Sequence, residues 1–240
     1  MEQLITMREA LEKRRSVRSY DMNALDAETL GSLKAFIDSV KPLYEDEPYA
    51  WAVAGPDEIK TILRWRAPHY LALFCNDTQK GRTNIGFIFE QVVLYLTSLG
   101  IGTCWLGMAA VRDPEKYSDL KPAITISFGR EAEGNPWNTT GKCVRKEPGK
   151  LMDRTDSRLL LSLKAPSAVN SQPWYFVHSN DQVDVYCSLS LMNAHIRDMN
   201  LIDIGIILAH IRTDAPEEFR FSVREQPPVR KGYRYIGTLY

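Results

Sequence analysis

The chain has 240 residues, of which 44% are hydrophobic and 25% are charged, as in ordinary globular proteins and unlike disordered or fibrous ones. Lys and Arg together number 30, as do Asp and Glu, so the formal net charge is zero. This balance argues against a general binder of nucleic acids or membrane surfaces, because such proteins need an excess of cations. The length allows one or two domains with a sizeable core.

Neither targeting nor metal binding is indicated. The N-terminal segment MEQLITMREALEKRR lacks the apolar stretch of a secretory signal. The most apolar run, 85–101, is too short for a bilayer and contains Glu90, so we interpret it as a buried helix. The four cysteines are scattered, without a CxxC pair or nearby histidine pairs, and no metal site is predicted. Their scatter is typical of a reducing compartment, and we expect a cytoplasmic protein.

The first part of the chain alternates between helical and strand-like patterns. A short amphipathic helix ends in a basic cluster, and Asp26 is the expected N-cap of a second helix. The apolar segment 84–99 is predicted to be the central helix of the fold, ended by Gly100. The other elements expected here are strands at 49–54, 70–75, 103–106 and 123–128 and a short helix at 57–65.

A loop or linker is predicted at 131–150, where Gly, Pro and Asn are frequent and apolar residues are few. After it we expect a helix at 155–163, which ends before Pro166 because the residue before a proline avoids the helical region. The remaining predicted elements are strands at 174–178, 183–188, 219–223 and 233–239 and an apolar helix at 203–211.

The order of elements is similar in the two parts. PYAWAV (48–53) resembles QPWYFV (172–177), NIGFIFEQVVLYL (84–96) resembles LIDIGIILAHI (201–211), and ITISFG (124–129) resembles YRYIGTL (233–239). We interpret this order as an internal duplication, with a first half at 1–150 and a shorter second half at 151–240, packed around a pseudo-twofold axis like a fused homodimer. Chance similarity between two α+β segments is the alternative. The predicted fold class is α+β, with mixed, mostly antiparallel sheets packed against helices.

The basic cluster RRSVR contains Arg14, Arg15, Ser16 and Arg18 directly after the first predicted helix. Three guanidinium groups and a hydroxyl within five residues can grip one phosphate through charge-assisted hydrogen bonds. The alternative is a solvated helix C-terminus, where cations offset the helix dipole.

A second polar segment, APSAVNSQPW, covers residues 165–174. Pro166 restricts its backbone, while Ser167, Asn170 and Gln172 offer hydrogen-bond donors and acceptors to a planar ligand. Amide side chains suit a heterocycle because they both donate and accept hydrogen bonds. A turn between a helix and a strand is the alternative, since Pro, Ser and Asn also favour turns.

Other sites are excluded by spacing. Gly100, Gly102 and Gly107 depart from the dinucleotide fingerprint G-x-G-x-x-G and follow a helix instead of a strand, so we reject a Rossmann site. No G-x-S-x-G elbow is present, which argues against a Ser-His-Asp hydrolase.

Gly107 would let a flat ligand lie against bare backbone. His210 lies in an apolar helical segment and is expected to be a hydrogen-bonded core residue.

RRSVR, the helix end SLGIGTCWLG and the segment PS-x-x-N-x-QPW together resemble the FMN-dependent nitroreductase family. The resemblance covers most of the chain and is weakest at 131–150 and 190–200. It implies that FMN binds at a dimer interface, with the phosphate on the arginine cluster of one subunit and the flavin ring at the PS-x-x-N segment of the other.

The order of these motifs departs from the usual pattern of the family. PLYEDEPYAW takes the place where PS-x-x-N is expected, and PSAVNSQPW comes only in the second half, which lacks its own RRSVR. The chain therefore resembles the fused subgroup of the family, in which one chain imitates the dimer. One FMN site per chain is implied, in a monomer or in a true homodimer with shared sites.

The resemblance also implies roles for particular residues. The phosphate-binding residues would be Arg14, Arg15, Ser16 and Arg18, with Arg145 and Lys146 closing on the same group. The residues at the flavin ring would be Pro166, Ser167, Asn170 and Gln172 on one side and Trp105, Leu106 and Gly107 over the pyrimidine edge and N5. Arg64 would be a cation near N1 and O2.

The implied function is an FMN-dependent oxidoreductase that passes hydride from NADH or NADPH through flavin N5 to a small acceptor such as a nitroaromatic or a quinone. No protein acid or base is assigned, because hydride transfer to flavin needs none and solvent can supply the proton. Two alternatives stay open: a flavin-binding module without nicotinamide-driven turnover, and another flavin reaction such as dehalogenation or flavin fragmentation. No nucleic-acid or membrane partner is expected.

Overall fold

The structure, a computed structural model, describes residues 4–134, 143–189 and 194–240, with the backbone alone at 194–197. It is an α+β fold, as predicted. Every pairing between the named strands is antiparallel, whereas mixed, mostly antiparallel sheets were predicted. None of the described helices is long and apolar enough to cross a membrane.

The part of the chain before residue 130 forms a four-stranded sheet, a small two-stranded ribbon and three helices. The sheet has the order β1-β3-β6-β4, and the ribbon pairs β2 with β5. The helices are α1 (Met7–Lys13), α2 (Ala27–Ser39) and α3 (Gln79–Ser98). The strands are β1 (Tyr49–Ala54), β2 (Ile59–Thr61), β3 (His69–Cys75), β4 (Gly102–Leu106), β5 (Ala109–Val111) and β6 (Lys121–Gly129).

The later part forms a second four-stranded sheet, of order β7-β8-β10-β9, and one long helix. The strands are β7 (Trp174–Ser179), β8 (Gln182–Ser188), β9 (Phe221–Ser222) and β10 (Tyr233–Leu239), and the helix is α4 (Ala194–Asp214). No strand or helix longer than a single turn is found at 131–134 or 143–150, in agreement with the predicted loop, while 135–142 lie outside the described residues.

Side-chain caps determine where the helices begin. The carboxylate of Asp26 accepts a hydrogen bond from the backbone N–H of Thr29, as the sequence predicts for an N-cap. The hydroxyl of Thr78 does the same for Gly81 and starts α3 five residues before the predicted residue 84. The polar first turn of α3 hides this start from a reading of hydrophobic periodicity, because that signal needs apolar residues.

Two predicted helices are wrong. Residues 57–65 form a single 3₁₀ turn (Pro56–Glu58) and then β2, because Ile59 is fully buried in a strand pairing with Val111. Residues 155–163 form only 3₁₀ turns, since the Asp156 side chain accepts hydrogen bonds locally from Arg158 instead of capping a continuous helix. The strand predicted at 219–223 is shortened to Phe221–Ser222.

Helices α3 and α4 pack against each other at the centre of the molecule and cross at two glycines. A Cβ atom on Gly86 would lie 1.9 Å from the carbonyl oxygen of Ile202, and one on Gly205 would lie 2.1 Å from that of Thr83. Because these obstacles are backbone atoms, the crossing requires both residues to lack a side chain. The crossing thereby fixes the distance between the two parts of the chain.

A polar side chain two residues before each crossing glycine anchors a loop of its own half. Asn84 accepts a hydrogen bond from the backbone N–H of Tyr44, with an N···O distance of 2.9 Å, in the loop before β1. Asp203 accepts one from the backbone N–H of Ala168 at 3.0 Å, in the loop before β7. These matching contacts are what an internal duplication would produce, and the duplication stays a prediction.

Candidate functional site

A cavity of about 510 Å³ lies where the basic segment after α1, the end of β4 and the loop before β7 meet. Its volume is within the range of roughly 300–1,000 Å³ that is usual for sites of small ligands and cofactors. The sequence-predicted residues in its lining are Ser16, Arg18, Trp105, Leu106, Gly107, Pro166 and Ser167. Residues separated by about 150 positions in the sequence therefore share one cavity.

Backbone contacts with β4 place the basic segment beside this cavity. The N–H of Val17 donates to the carbonyl oxygen of Thr103 at 2.9 Å, and the Val17 side chain is buried against Gly102. In such an extended segment, neighbouring side chains point to opposite sides. Ser16 and Arg18 accordingly lie in the cavity lining, on the side away from Val17.

The other two arginines of the cluster lie outside the cavity lining. The Arg14 side chain is only 8% exposed, and its Nε lies 3.8 Å from Oε1 of Glu90. Burial lowers the pKa of Arg14, and the neighbouring Glu90 carboxylate opposes this shift. Arg15 forms an ion pair with Glu131. The structure thus divides the cluster into residues at the cavity and residues held by carboxylates.

Glu90, on α3, is the centre of a fully buried polar group behind the cavity wall. Its carboxylate accepts hydrogen bonds from Nε1 of Trp105 at 2.7 Å and from Nε2 of His210 at 2.9 Å. The first bond holds the Trp105 indole at the cavity, and the second joins α3 to α4. Burial lowers the pKa of His210, which keeps the imidazole neutral.

His210 is buried as predicted, but it is hydrogen-bonded through Nε2 alone, because Nδ1 has no partner among the described residues. The contacts of Glu90 with His210 and Trp105 were not predicted from the sequence. The sequence did contain a signal for this contact. Glu90 and His210 each lie in an otherwise apolar helix, and ionisable residues are rarely buried there without partners.

The loop before β7 is held by the basic pair predicted to close on the phosphate. Nη1 of Arg145 donates to Oδ1 of Asn170 at 2.6 Å, and the backbone N–H of Lys146 donates to Oε1 of Gln172 at 2.8 Å. The Asn170 amide also donates to the carbonyl oxygen of Val144 at 2.7 Å. These four predicted site residues therefore contact one another, and they lie outside the cavity lining.

The same loop has a strained backbone. Val169, Asn170 and Gln172 have φ angles of 47°, 55° and 46°, in the left-handed region that residues other than glycine seldom adopt. For a β-branched residue such as Val169, which is 78% exposed, this conformation is an outlier. Strained backbone concentrates at ligand sites, where surrounding contacts maintain it. The strain and the adjoining cavity favour a binding site over a simple turn.

Asp203 on α4 lies in the cavity wall and is 3% exposed. Burial raises the pKa of its carboxyl to about 8, although hydrogen bonds from Ala168 and Ser171 act in the opposite direction. At neutral pH the group is therefore mostly protonated. Asp203 is not among the predicted site residues, because it is the first residue of the helix predicted at 203–211, where acidic residues are common.

The remaining wall of the cavity is mainly apolar. Arg64 is exposed and outside the lining, whereas its neighbours Leu63 and Trp65 are part of it. Ile202 and Ile206, one turn apart on α4, complete the apolar surface. Together with Ser16 and Arg18, this surface can hold a ligand that combines a flat apolar ring with an anionic group.

The fold is that of the nitroreductase family. The family model described as "Putative TM nitroreductase" matches residues 6–215, and the chain belongs to this family. No curated protein matches the chain in sequence.

Solved structures of nitroreductases share the fold. A crystal structure described as a putative nitroreductase from Thermotoga maritima is 21% identical, with a TM-score of 0.68 over 100% of this chain and 95% of that chain. A nitroreductase family protein from Streptococcus pneumoniae is 14% identical, with a TM-score of 0.51, and covers 61% of this chain and 98% of its own. A variant of an FMN- and NADPH-dependent nitroreductase from Sphingopyxis sp. strain HMH is 16% identical, with a TM-score of 0.50, over 61% and 97%.

Proposed function

We propose that the protein is an FMN-dependent oxidoreductase that passes hydride from NADH or NADPH to a small acceptor such as a nitroaromatic or a quinone. The observation that carries this proposal is the single cavity shared by the basic segment, the end of β4 and the strained loop before β7. Membership of the nitroreductase family supports oxidoreductase chemistry. FMN and NADPH dependence are properties of the Sphingopyxis relative, and we extend them to this chain as part of the proposal.

The residues of the cavity fit FMN. Arg18 and Ser16 supply a cation and a hydroxyl for the phosphate, and the apolar wall suits the ring system. Gly107 leaves backbone open to a flat ligand, and the Trp105 indole beside it is held by Glu90. Bound FMN would supply the redox chemistry, while these residues bind and orient it.

A visible spectrum tests the proposal directly. Purified protein mixed with FMN should acquire the blue absorption of bound oxidised flavin, which NADH or NADPH should bleach without oxygen and a nitroaromatic or quinone should restore. Absence of FMN binding contradicts the proposal. Bound flavin that stays oxidised in excess nicotinamide would indicate a flavin-binding module instead, and reduced flavin that neither acceptor reoxidises would indicate another flavin reaction.

Arg18→Ala should weaken FMN about ten- to a hundredfold and leave riboflavin, which lacks the phosphate, nearly unchanged. The reason is that a hydrogen bond to a charged group contributes ~1.5–3 kcal/mol. Titration of each variant with both flavins, followed by fluorescence, measures the difference. Arg8→Ala is the matched control, since Arg8 pairs with Asp214 on the surface of α1. If Arg18→Ala weakens the binding of FMN and riboflavin equally, Arg18 does not bind the phosphate.

Each chain should bind one FMN, because residues from both parts of one chain line the same cavity. Mixing Arg18→Ala chains with Asn170→Leu chains tests this arrangement, since the second change removes the amide that Arg145 holds. A site within one chain predicts no recovery of wild-type flavin binding in the mixture. Recovery of about a quarter to a half of the sites would show that a homodimer shares them between chains.

A further inference from the structure

Asp203 faces the cavity as a carboxyl group that forms no ion pair with any described residue. The backbone N–H of Ala168 lies 3.0 and 3.1 Å from its two oxygens, and the hydroxyl of Ser171 lies 3.5 Å from Oδ2. In the described part of the chain, no Lys, Arg or His forms an ion pair with it. Its described donors are thus a backbone amide and a hydroxyl.

The matching position on α3 shows that anchoring such a loop does not require an acid. Oδ1 of Asn84 accepts from the backbone N–H groups of Leu43 and Tyr44 at 3.0 and 2.9 Å, and its Nδ2 donates to the Tyr44 carbonyl oxygen at 2.8 Å. Asn84 is buried and lies outside the cavity lining. What Asp203 adds to this arrangement is a group that can bind and release a proton at the cavity.

The surroundings of Asp203 favour its protonated form. The buried Glu90 on α3 is a like charge that raises the pKa of Asp203, and burial, with a smaller contribution from the Asp203 charge, raises the pKa of the Cys187 thiol on β8. Arg18 lines the same cavity and is the cation that a ligand phosphate would engage under the proposed function. Burial is the main cause of the raised pKa of Asp203, and the like charge of Glu90 adds to it, so the carboxyl stays mostly protonated at neutral pH.

We propose that Asp203 is the proton donor of the cavity and gives its carboxyl proton to the small acceptor reduced there. This inference rests on the proposed function, because reduction of the acceptor creates the oxyanion that takes the proton. Two-electron reduction of a quinone by a hydride equivalent from the nicotinamide leaves an oxyanion. The O–H bond of Asp203 then breaks, a new O–H bond forms on the acceptor oxygen, and the electron pair stays on the carboxylate. The Ala168 N–H stabilises that carboxylate, and water returns the proton.

The test variant is Asp203→Asn, because an amide keeps an oxygen for the Ala168 N–H and removes the proton. Asp198→Asn, the same change on the same helix at a partly exposed residue, is the control. Infrared difference titration should show a protonated carboxyl band that disappears as the pH rises through about 8 in the parent and in the control. The band should be missing from Asp203→Asn. A parent without this band overturns the proposal.

Stability separates proton donation from loop anchoring. Since the pKa of folded Asp203 lies above the ordinary value of 3.8, the unfolded state releases the proton first, and the parent loses stability as the pH rises from about 4 to 8. Asp203→Asn lacks this loss, so its Tm at pH 8 should equal or exceed that of the parent. A lower Tm together with lost FMN binding would assign Asp203 to anchoring and overturn the proposal.

The reaction itself is followed with dithionite as the reductant, so that the result does not depend on nicotinamide use. Reoxidation of the reduced protein by a quinone should be about 10²-fold slower in Asp203→Asn than in the parent. The parent rate should fall above about pH 8, and the variant should lack this inflection. Equal rates and equal pH profiles overturn the proposal. If dithionite reduces the protein but NADH and NADPH do not, the result counts against the proposed function and leaves the role of Asp203 standing.

Discussion

Gly205→Ala should lower the free energy of unfolding by roughly 3 kcal/mol or more, because added volume at a close backbone contact cannot be absorbed by a side-chain rotation. The new Cβ would lie 2.1 Å from the Thr83 carbonyl oxygen and 2.5 Å from the backbone nitrogen of Phe87, so α3 and α4 would have to separate. Urea denaturation measures the loss as a lower midpoint. FMN binding should weaken as well, since α4 supplies Ile202, Asp203 and Ile206 to the cavity.

Gly31→Ala is the matched control for this change. Gly31 lies on the exposed side of α2, and a Cβ there would meet no atom within 4 Å. Alanine in a helix interior is more stable than glycine by roughly 0.5–1 kcal/mol, so the control should gain stability. Gly205→Ala with a midpoint at or above that of the parent would contradict the close crossing of the two helices.

Arg14→Ala should destabilise the protein by about 3–5 kcal/mol, because it removes the arginine that pairs with the buried Glu90 carboxylate. The Glu90 side chain is fully buried, and Trp105 and His210 would remain as its hydrogen-bond donors. Thermal and urea unfolding at neutral pH measure the effect. Arg8→Ala, on the preceding helix α1, removes an ion pair from an arginine side chain that is 66% exposed and should cost no more than about 1 kcal/mol.

A second substitution distinguishes lost charge pairing from lost packing. Arg14→Met combined with Glu90→Gln removes both charges and keeps an oxygen that can accept from Trp105, so most of the stability should return. A double variant as unstable as Arg14→Ala would mean that the shape of the arginine, not its charge, is required. If Arg14→Ala and Arg8→Ala lower the free energy of unfolding equally, the buried ion pair does not stabilise the protein as predicted.

Local signals predicted much of the architecture correctly. The strands at 49–54 and 233–239 and the Asp26 cap have the predicted bounds, because alternation and capping involve residues that are close in the sequence. The helix predicted at 57–65 is wrong because the segment pairs with a strand about 50 residues away, which no local pattern reports.

The components of the candidate site were also recognisable in the sequence. RRSVR, the WLG segment and PS-x-x-N predicted a nitroreductase, and the family is confirmed. The roles of the individual residues stay predictions. The structure brings part of each motif to one cavity and uses Arg145 and Lys146 to hold the strained loop.

Only the tertiary structure decides which charged residues are buried in ion pairs and which lie at the cavity. Arg14, Arg15 and Arg18 look alike in the sequence, yet Arg14 is buried against Glu90 while Arg18 lies at the cavity. Whether Asp203 holds a proton depends likewise on how deeply this part of α4 is buried. The energy of a charge is set by its solvent exposure and by partners brought close in space, and neither follows from the local order of residues.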